Sequence, residues 1–354
     1  MKQLFNTLFL VVGITTCAQN IPLYLGTYTD EKSEGIYYYN FNTKTGEISD
    51  QKLVATLNNP SFLSYSSNRK FLYAVSEVNN FSNTNSGFVS AFSVVKNGEL
   101  QFINSVSSNG AHPCHIEVNS KNVAISNYSG GTISIHKIGG NGEIKPANQI
   151  LNHNTVKKKS HAHSTQFFKN DLFVADLGRN FLAHYSKEDS NFVLNENYLM
   201  GKKSGPRHFK ITKNGNFIYV INEYSSTISV LKNSKHQYKK IQNISTLDTN
   251  FKDENSCADI HLSNDENYVY GSNRGENSMV VFKRNAINGT LKKIQTISVE
   301  GDWPRNFTIA PNGQFLLVAN QKSKNISVYK VASKTGKLSY LQSVQVPTPV
   351  CLLF

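Results

Sequence analysis

Four residues of types that can perform acid–base and anion chemistry stand at comparable places in the chain: His163, Arg207, Glu223 and Arg274. A carboxylate beside arginines stays ionised and can accept a proton from water or carbon. Arginines can bind a carboxylate or phosphate and stabilise an oxyanion, and a histidine can exchange a proton with a departing oxygen. Hydrolysis of a lactone needs these three roles, and ring closure or cycloisomerisation would use the same groups.

Further polar residues occupy comparable positions and are candidates for substrate binding: His115, Asn127, His161, His208, Asp259 and Arg305. Polar residues at strand ends often only satisfy the backbone of a loop, so any single histidine among them can equally be structural. The set is informative as a whole, because the opposite ends of the same strands carry ordinary turn residues such as Asn312-Gly313. This asymmetry predicts a site.

An internal repeat explains how these residues come together. One strand recurs with the form aromatic-small-apolar and then a small polar residue: LYLGTY at 23–28, LYAVSE at 72–77, VAISNY at 123–128, LFVADL at 172–177, IYVINE at 218–223, VYGSNR at 269–274 and LLVANQ at 316–321. The penultimate residues of these seven copies lie 46 to 51 positions apart. A short strand precedes each copy and two more follow, several with a glycine turn such as Asn288-Gly289. Four antiparallel strands at this spacing are typical of β-propeller blades.

We therefore predict an all-β fold, a seven-bladed β-propeller with four antiparallel strands per blade. The period-2 alternation excludes a helical solenoid, and the regular spacing excludes two separate sandwiches. Pairing of the N-terminal strand at 22–28 with the C-terminal strand at 349–354 closes the ring and leaves no open sheet edge. The first strand of a blade lines the channel, so its start and the end of the second strand share one channel mouth. The four reactive residues named first then converge from three consecutive blades.

The first 18 residues differ in kind from the rest. Lys2 precedes an apolar run from Leu8 to Ile14 and then small residues, which is the pattern of a secretory signal and too short for a spanning helix. We predict a signal peptide at 1–18, a propeller domain at 19–354, and an exported protein, periplasmic or extracellular. A lipid anchor on Cys17 is the alternative, which the unusual Thr16 before it disfavours. No other segment approaches membrane length.

Charge and cysteine content narrow the expected partners. The net charge is +13, but basic runs such as 157–159 and 239–240 are scattered along the chain, so we expect no nucleic-acid partner. The expected partner is a small anionic or sugar lactone, and the expected state is a monomer. After Cys17 the cysteines are odd in number, so we expect Cys114, Cys257 and Cys351 as free thiols.

Two other chemistries could use the same region. His161-x-His163 places two rings on one face of a strand, and His112-x-x-His115 lies one blade away. Acidic partners for a metal are few there, so we expect no metal and no cofactor. Cys114 beside His115 could act as a nucleophile, although a packed small residue is the simpler interpretation.

Short motifs in a fixed order resemble the bacterial lactonase family of seven-bladed propellers, which includes 6-phosphogluconolactonase and the fungal 3-carboxy-cis,cis-muconate cyclising enzyme. The resemblance extends over nearly all of the mature chain, from YLGTYT at 24–29 to PTPVCLLF at 347–354. The motifs between them are AHPCHI at 111–116, NYSGGTI at 127–133, HAHS at 161–164, GPRH at 205–208, NE at 222–223, DIHLS at 259–263, SNRG at 272–275 and WPRNF at 303–307. The resemblance implies a lactone-type substrate. In cyclising members the proposed active residues are one His, two Arg and one Glu, which match His163, Arg207, Arg274 and Glu223.

The expected function is therefore a lactone hydrolase similar to 6-phosphogluconolactonase, which opens a sugar-derived lactone to the acid. Glu223 is the expected base, with the arginines and His163 stabilising the oxyanion and the leaving oxygen. The export signal is a departure from the family's pattern, since a pentose-phosphate enzyme acts where its phosphorylated substrate is made. Export favours one alternative, a propeller that binds a glycan or a protein without catalysis. A muconate-type cycloisomerase is the other.

Overall fold

A computed structural model describes residues 19–30, 32–235 and 237–354. The predicted signal peptide at 1–18, with Cys17, lies outside the described residues, so signal, lipid anchor and export stay predictions. Within the described ranges the fold is all-β apart from two single-turn 3-10 helices, Phe81–Asn83 and Lys96–Gly98. No helix in these ranges is long and apolar enough to cross a membrane.

The strands form seven four-stranded antiparallel sheets, which confirms the predicted propeller. Blade 1 consists of β4 (Leu63–Tyr65), β5 (Phe71–Ser76), β6 (Phe88–Val94) and β7 (Leu100–Ser107). Blade 2 consists of β8 (Pro113–Val118), β9 (Asn122–Asn127), β10 (Thr132–Ile138) and β11 (Ile144–Asn152). Blade 3 consists of β12 (Ala162–Phe168), β13 (Asp171–Asp176), β14 (Phe181–Glu188) and β15 (Asn191–Leu199). Blade 4 consists of β16 (Pro206–Ile211), β17 (Phe217–Asn222), β18 (Thr227–Ser234) and β19 (Gln237–Ser245). Blade 5 consists of β20 (Ser256–Leu262), β21 (Tyr268–Arg274), β22 (Ser278–Arg284) and β23 (Leu291–Ser298). Blade 6 consists of β24 (Pro304–Ile309), β25 (Phe315–Asn320), β26 (Asn325–Val331) and β27 (Leu338–Gln345). Blade 7 consists of β28 (Pro349–Leu353), β1 (Asn20–Thr27), β2 (Gly35–Asn42) and β3 (Ile48–Thr56).

Chain termini meet in blade 7, as predicted from the sequence. Strand β28 pairs antiparallel with β1, with Leu353 opposite Tyr24 and Leu352 opposite Leu25. The order in this sheet is β28-β1-β2-β3, so the last strand of the chain is the innermost strand of the blade that the first strand begins. The ring is thereby closed by backbone hydrogen bonds.

The second strand is the most deeply buried strand of blade 4, because a neighbouring blade covers each of its faces. All six residues of β17 are buried, whereas the outermost strand of the same blade, β19, exposes most of its residues. Apolar clusters lie between adjacent blades; in one of them Tyr219 of blade 4 packs with Val269 and Phe282 of blade 5. The hydrophobic core is therefore divided into wedges around the channel, which stays polar.

Tyrosines in the second strands also tie neighbouring blades together. The hydroxyl of Tyr219 donates a 2.8 Å hydrogen bond to the carbonyl of Gly289, in the turn of the next blade. The same contact recurs from Tyr24 to Gly98, from Tyr73 to Gly142 and from Tyr270 to Gly336. These glycines belong to the turns predicted from the sequence, and each adopts a positive φ. Glycine is favoured at such a turn, because residues that carry a side chain rarely adopt a positive φ.

A β-bulge near the start of the innermost strand positions the candidate site. In blade 4, Pro206 pairs with Asn222 and His208 pairs with Ile221, so Arg207 is an extra residue without a partner on β17. The same register shift isolates three further residues: Cys114, His163 and Arg305. A bulge interrupts the alternation of a strand and re-aims a side chain. Equivalent residues of four blades are thereby directed to the same channel mouth.

Candidate active site

A small cavity of about 140 Å³ lies at this channel mouth, and all four predicted catalytic residues line it. Its complete lining is Tyr28, Glu77, Cys114, Tyr128, His163, Arg207, Glu223, Arg274 and Arg305. Four of these are the bulged residues of innermost strands. The other five lie at or directly after the end of a second strand, so each blade can supply side chains from two positions. We call this cavity the reaction pocket.

Glu223 lies between two arginines in the reaction pocket. Its Oε2 is 3.0 Å from Nε of Arg207 and 2.9 Å from Nη2 of Arg274. The Nε–H of Arg207 does not point along the first contact, which is therefore an ion pair without a well-formed hydrogen bond. Oε1 of Glu223 takes no hydrogen bond from the described residues. One carboxylate oxygen is thus held by two positive charges, whereas the other has no partner within the described residues.

Backbone carbonyls of blade 5 hold both guanidinium groups in place. Arg207 donates from Nη1 to the carbonyl of Ala258 at 2.7 Å. Arg274 donates from Nε to Ser256 at 3.2 Å and from Nη2 to Cys257 at 2.9 Å. Within the described residues, Nη2 of Arg207 and Nη1 of Arg274 have no hydrogen-bond partner. These two groups can bind an oxyanion from a fixed geometry.

A second charged cluster faces the first across the pocket. Arg305 donates from Nη2 to the hydroxyl of Tyr28 at 2.5 Å, and this hydroxyl donates to Oε2 of Glu77 at 2.9 Å. Although burial opposes it, the nearby Tyr28 and Glu77 raise the pKa of Arg305. Arg305 was predicted to bind substrate, and the structure places it in the reaction pocket.

Burial lowers the pKa values of the two other arginines, Arg207 and Arg274, from their ordinary range. The pKa of Arg207 falls to about 10, because repulsion from the neighbouring arginines adds to the effect of burial. Both guanidinium groups still carry a charge at neutral pH. The pocket therefore contains three arginines and two glutamates, and its excess positive charge favours a substrate that develops negative charge during the reaction.

His163 is neutral at physiological pH. Burial, reinforced by the charge of Arg207, lowers its pKa well below the ordinary value. Its Nδ1 is buried and has no hydrogen-bond partner in the described part of the chain. The ring lies against Tyr128, with 5.7 Å between the two ring centroids. Because Nδ1 is buried, only the other ring nitrogen, Nε2, can meet a ligand in the reaction pocket that His163 lines.

Cys114 lines the same pocket but is a thiol and not a thiolate. Burial raises its pKa above the ordinary value, and Glu77 adds to the effect. Its Sγ contacts the carbonyl oxygen of His163 at 3.4 Å. A nucleophilic cysteine needs a lowered pKa, so the contacts of Cys114 fit a packed residue. The free state predicted for Cys114, Cys257 and Cys351 is confirmed.

Three predicted substrate-binding residues lie in a second cavity of about 70 Å³, further along the innermost strands: His115, His208 and Asp259. His208 and His163 are neighbours, with 5.2 Å between their ring centroids. The two cavities nevertheless share no lining residue. Since Arg207 is bulged, it faces the reaction pocket, whereas the adjacent His208 faces the inner channel.

Asp259 is bonded on both carboxylate oxygens by the protein itself. Oδ1 lies 2.7 Å from Nδ1 of His208, and Oδ2 is 2.6 Å from Nδ2 of Asn306 and 3.1 Å from Nε2 of His261. Although burial opposes it, the two histidines His261 and His208 lower the pKa of Asp259 well below its ordinary value. Its contacts fit a role in positioning His208 better than direct contact with a substrate.

The two remaining predicted binding residues are not brought into the reaction pocket. Asn127 is fully buried and donates from Nδ2 to the carbonyl of Ser108 and to the hydroxyl of Thr132. His161 stacks on Tyr128 with 4.5 Å between ring centroids, and its Nδ1 lies 3.1 Å from the carbonyl of the same residue. Asn127 therefore satisfies a loop, and His161 supports a tyrosine that lines the pocket. Among the described residues, no group of three or more His, Cys, Asp or Glu side chains is arranged to hold a metal ion.

Sequence reasoning assigned no role to Tyr28 and Glu77, which line the pocket together with Glu223. The signal was present, because each of the two is the last residue of its copy of the repeated segment, as Glu223 is. Glu77 could be placed at the channel mouth from the sequence, since it ends its copy of the repeat. Its pairing with Tyr28 and Arg305 could not, because it joins blades 1, 6 and 7.

Comparisons with known proteins agree with this fold. The profile of the family described as lactonase, 7-bladed beta-propeller, matches residues 22–354. A 6-phosphogluconolactonase of Formosa agariphila is 36% identical over 341 residues, covering 90% of this chain and 95% of that protein. A crystal structure of a proposed 6-phosphogluconolactonase from Bacteroides uniformis superimposes with a TM-score of 0.87 at 33% identity, covering 95% of this chain and 99% of the other. The periplasmic gluconolactonase of Pseudomonas aeruginosa superimposes with a TM-score of 0.84 at 27% identity, covering 94% and 98%.

Proposed function

Because the chain belongs to the lactonase family of seven-bladed β-propellers, we propose that it is a lactone hydrolase whose reaction centre is the pocket around Glu223. Similarity to a 6-phosphogluconolactonase and to a gluconolactonase supports a sugar-derived lactone as the substrate class. One observation carries the assignment of the site. Glu223 is held by Arg207 and Arg274 in the same small cavity as an unpartnered, neutral His163.

In the proposed reaction, water attacks the lactone carbonyl carbon and gives a proton to Oε1 of Glu223. The carbonyl oxygen becomes an oxyanion and binds the two unpartnered guanidinium nitrogens, Nη2 of Arg207 and Nη1 of Arg274. When the ring C–O bond breaks, the proton on Glu223 passes to the ring oxygen, to which His163 donates a hydrogen bond. The product is a hydroxy acid, which ionises at neutral pH and releases the proton that an assay can follow.

The roles of the remaining lining residues follow from their partners. Tyr28, Glu77 and Arg305 form a connected set of donors and acceptors opposite the reacting carbonyl. A sugar lactone carries several hydroxyl groups, each of which can both donate and accept. We propose that this set orients the lactone ring through its hydroxyls.

The pH dependence tests the state of His163. Because its pKa is held well below the ordinary value, the neutral form persists as the pH falls through about 6.5, the ordinary histidine pKa. We expect kcat/KM, corrected for spontaneous hydrolysis, to show no inflection between about pH 7.5 and 5.5 that is due to a histidine. An inflection near about pH 6.5 that disappears in His163→Asn would contradict this assignment.

The proposed function is tested with the purified protein and two lactones, δ-gluconolactone and its 6-phosphate. Acid release is followed with a pH indicator in weak buffer, and we expect acceleration over the spontaneous rate with at least one of them. If circular dichroism shows that the protein is folded and it accelerates the hydrolysis of neither lactone, the result favours the alternative of a propeller that binds without catalysis. Conversion of an unsaturated dicarboxylate to a lactone would instead favour a cycloisomerase.

A further inference from the structure

A larger cavity of about 530 Å³ adjoins the reaction pocket on the side of blade 5. Arg274 lines both cavities, so a ligand longer than one ring can extend from one into the other. Cavities that bind small molecules commonly measure about 300–1,000 Å³, and the reaction pocket alone, at about 140 Å³, falls below that range. We call the larger cavity the side groove.

The walls of the side groove combine aromatic surface with polar groups. Tyr224 exposes 52% of its surface, and Trp303 is held in place by Lys322, whose Nζ lies 3.6 Å from the centroid of the indole ring. The charged residues that line it are Asp253, Glu254 and Arg274. A pyranose presents a rim of hydroxyls and faces of C–H groups, which suit acceptors and aromatic rings respectively.

The polar groups of the groove are available to a ligand. Asp253 and Glu254 are exposed, and their carboxylates have neither an ion pair nor a hydrogen bond within the described residues. The charges of Asp253 and Glu254 balance those of Arg274 and Lys322, so the groove has no excess positive charge that would attract an additional anionic group. A phosphate on the sugar would add a charge of about −1.5 to −2 at neutral pH.

Short contacts hold the groove wall in position. The wall is the connection between β19 and β20, residues 246–255. Asp248 donates its backbone N–H to Oε1 of Glu276 at 2.7 Å, and Asn255 donates to the hydroxyl of Ser226 at 2.9 Å. Gly275 lies so close to the carbonyl of Glu254 that a Cβ there would be 2.2 Å from that oxygen. The groove is therefore preformed, which reduces the entropic cost of binding.

We propose that the side groove is a subsite for a neutral sugar unit, and that the preferred substrates are lactones of aldonic acids carrying a further glycosyl residue. This inference rests on the proposed lactone hydrolysis for its kinetic part only. The reacting ring occupies the reaction pocket, and its glycosyl substituent passes Arg274 and packs between Tyr224 and Trp303. The two carboxylates accept hydrogen bonds from its hydroxyls and disfavour a phosphorylated tail.

The kinetic test compares cellobionolactone with δ-gluconolactone and 6-phosphogluconolactone. We expect kcat/KM to be at least about tenfold higher for the disaccharide lactone than for either other substrate. In the double variant Asp253→Ala, Glu254→Ala, the ratio of kcat/KM between cellobionolactone and δ-gluconolactone should fall towards one. The matched control is Glu188→Ala, Asp189→Ala, another exposed acidic pair, located at the end of β14 and in the turn that follows it. This variant should keep the ratio of the unchanged chain.

A binding test does not depend on catalysis. Trp303 is the only tryptophan of the sequence, so intrinsic fluorescence reports on the groove directly. We expect a saturable change in emission with cellobiitol, a neutral reduced disaccharide, and none with sorbitol at the same concentrations.

The two measurements separate the two proposals. If δ-gluconolactone is hydrolysed but the disaccharide lactone is not preferred, the subsite is overturned and the proposed function stands. If no lactone is hydrolysed, the fluorescence titration decides: saturation with cellobiitol supports the subsite, and its absence overturns it. A preference for 6-phosphogluconolactone would overturn it as well.

Discussion

Replacing Glu223 with glutamine will lower kcat for lactone hydrolysis by about 10²- to 10⁴-fold, the usual contribution of a positioned general base. Glutamine keeps the size of the side chain and an oxygen for the arginines, but its amide cannot accept a proton from water. The change also leaves Arg207 and Arg274 without their shared counter-charge, so some loss of thermal stability is expected. Rates are measured well below the melting temperature of the variant, which circular dichroism supplies.

The matched control is Glu117→Gln, which removes another carboxyl group inside the channel. Glu117 lines the second cavity, with His115, His208 and Asp259, and not the reaction pocket. Burial raises its pKa to about 7. We expect this variant to retain a rate close to that of the unchanged chain. If Glu77→Gln abolishes hydrolysis while Glu223→Gln does not, the base is Glu77 and our assignment is wrong.

Replacing Arg207 with lysine will lower kcat by about 10²- to 10³-fold, as expected on loss of an oxyanion donor. Lysine keeps the charge, but it cannot bond Ala258, pair with Glu223 and offer a further N–H to the substrate at the same time. Arg207 is 2% exposed, and its neighbours fix its orientation. Because the lost bond forms only in the transition state, kcat and kcat/KM should fall equally.

Arg284→Lys is the control for this substitution. Arg284 is also a buried arginine, packed on the ring of Phe217 with its Cζ 5.5 Å from the ring centroid, and it lies outside the reaction pocket. It should reproduce any general effect of changing a buried arginine to lysine without the loss of rate. A rise in KM with unchanged kcat in Arg207→Lys would show that Arg207 only binds substrate.

Local patterns in the sequence were sufficient to predict the architecture. Repeated segments such as IYVINE at 218–223 fix both the strand type and the blade count, since the alternation and turn glycines recur at a constant spacing. Ring closure was predictable as well, because 349–354 completes the repeat that 22–28 begins. The convergence of His163, Arg207, Glu223 and Arg274 followed from this topology and is confirmed in the reaction pocket, whereas their catalytic roles stay predictions.

Several details of the site required the packed structure. Arg207 and His208 are adjacent in the chain and were expected at the same mouth, but the bulge directs them into different cavities. Asn127 occupies a strand end like Asn222, and its amide bonds a loop carbonyl instead of facing the pocket. The cluster of Glu77, Tyr28 and Arg305 joins three blades that are distant in sequence.

The sequence by itself therefore determined the seven blades, their closure and the convergence of the four reactive residues at the channel mouth. Those properties depend on periodicity along the chain, which neighbouring residues encode directly. Only the tertiary structure decided which of the mouth residues share a cavity, which nitrogen atoms remain unpartnered and which pKa values shift. These properties depend on hydrogen-bond register within each sheet and on burial between blades, and both are set by contacts between residues far apart in the sequence.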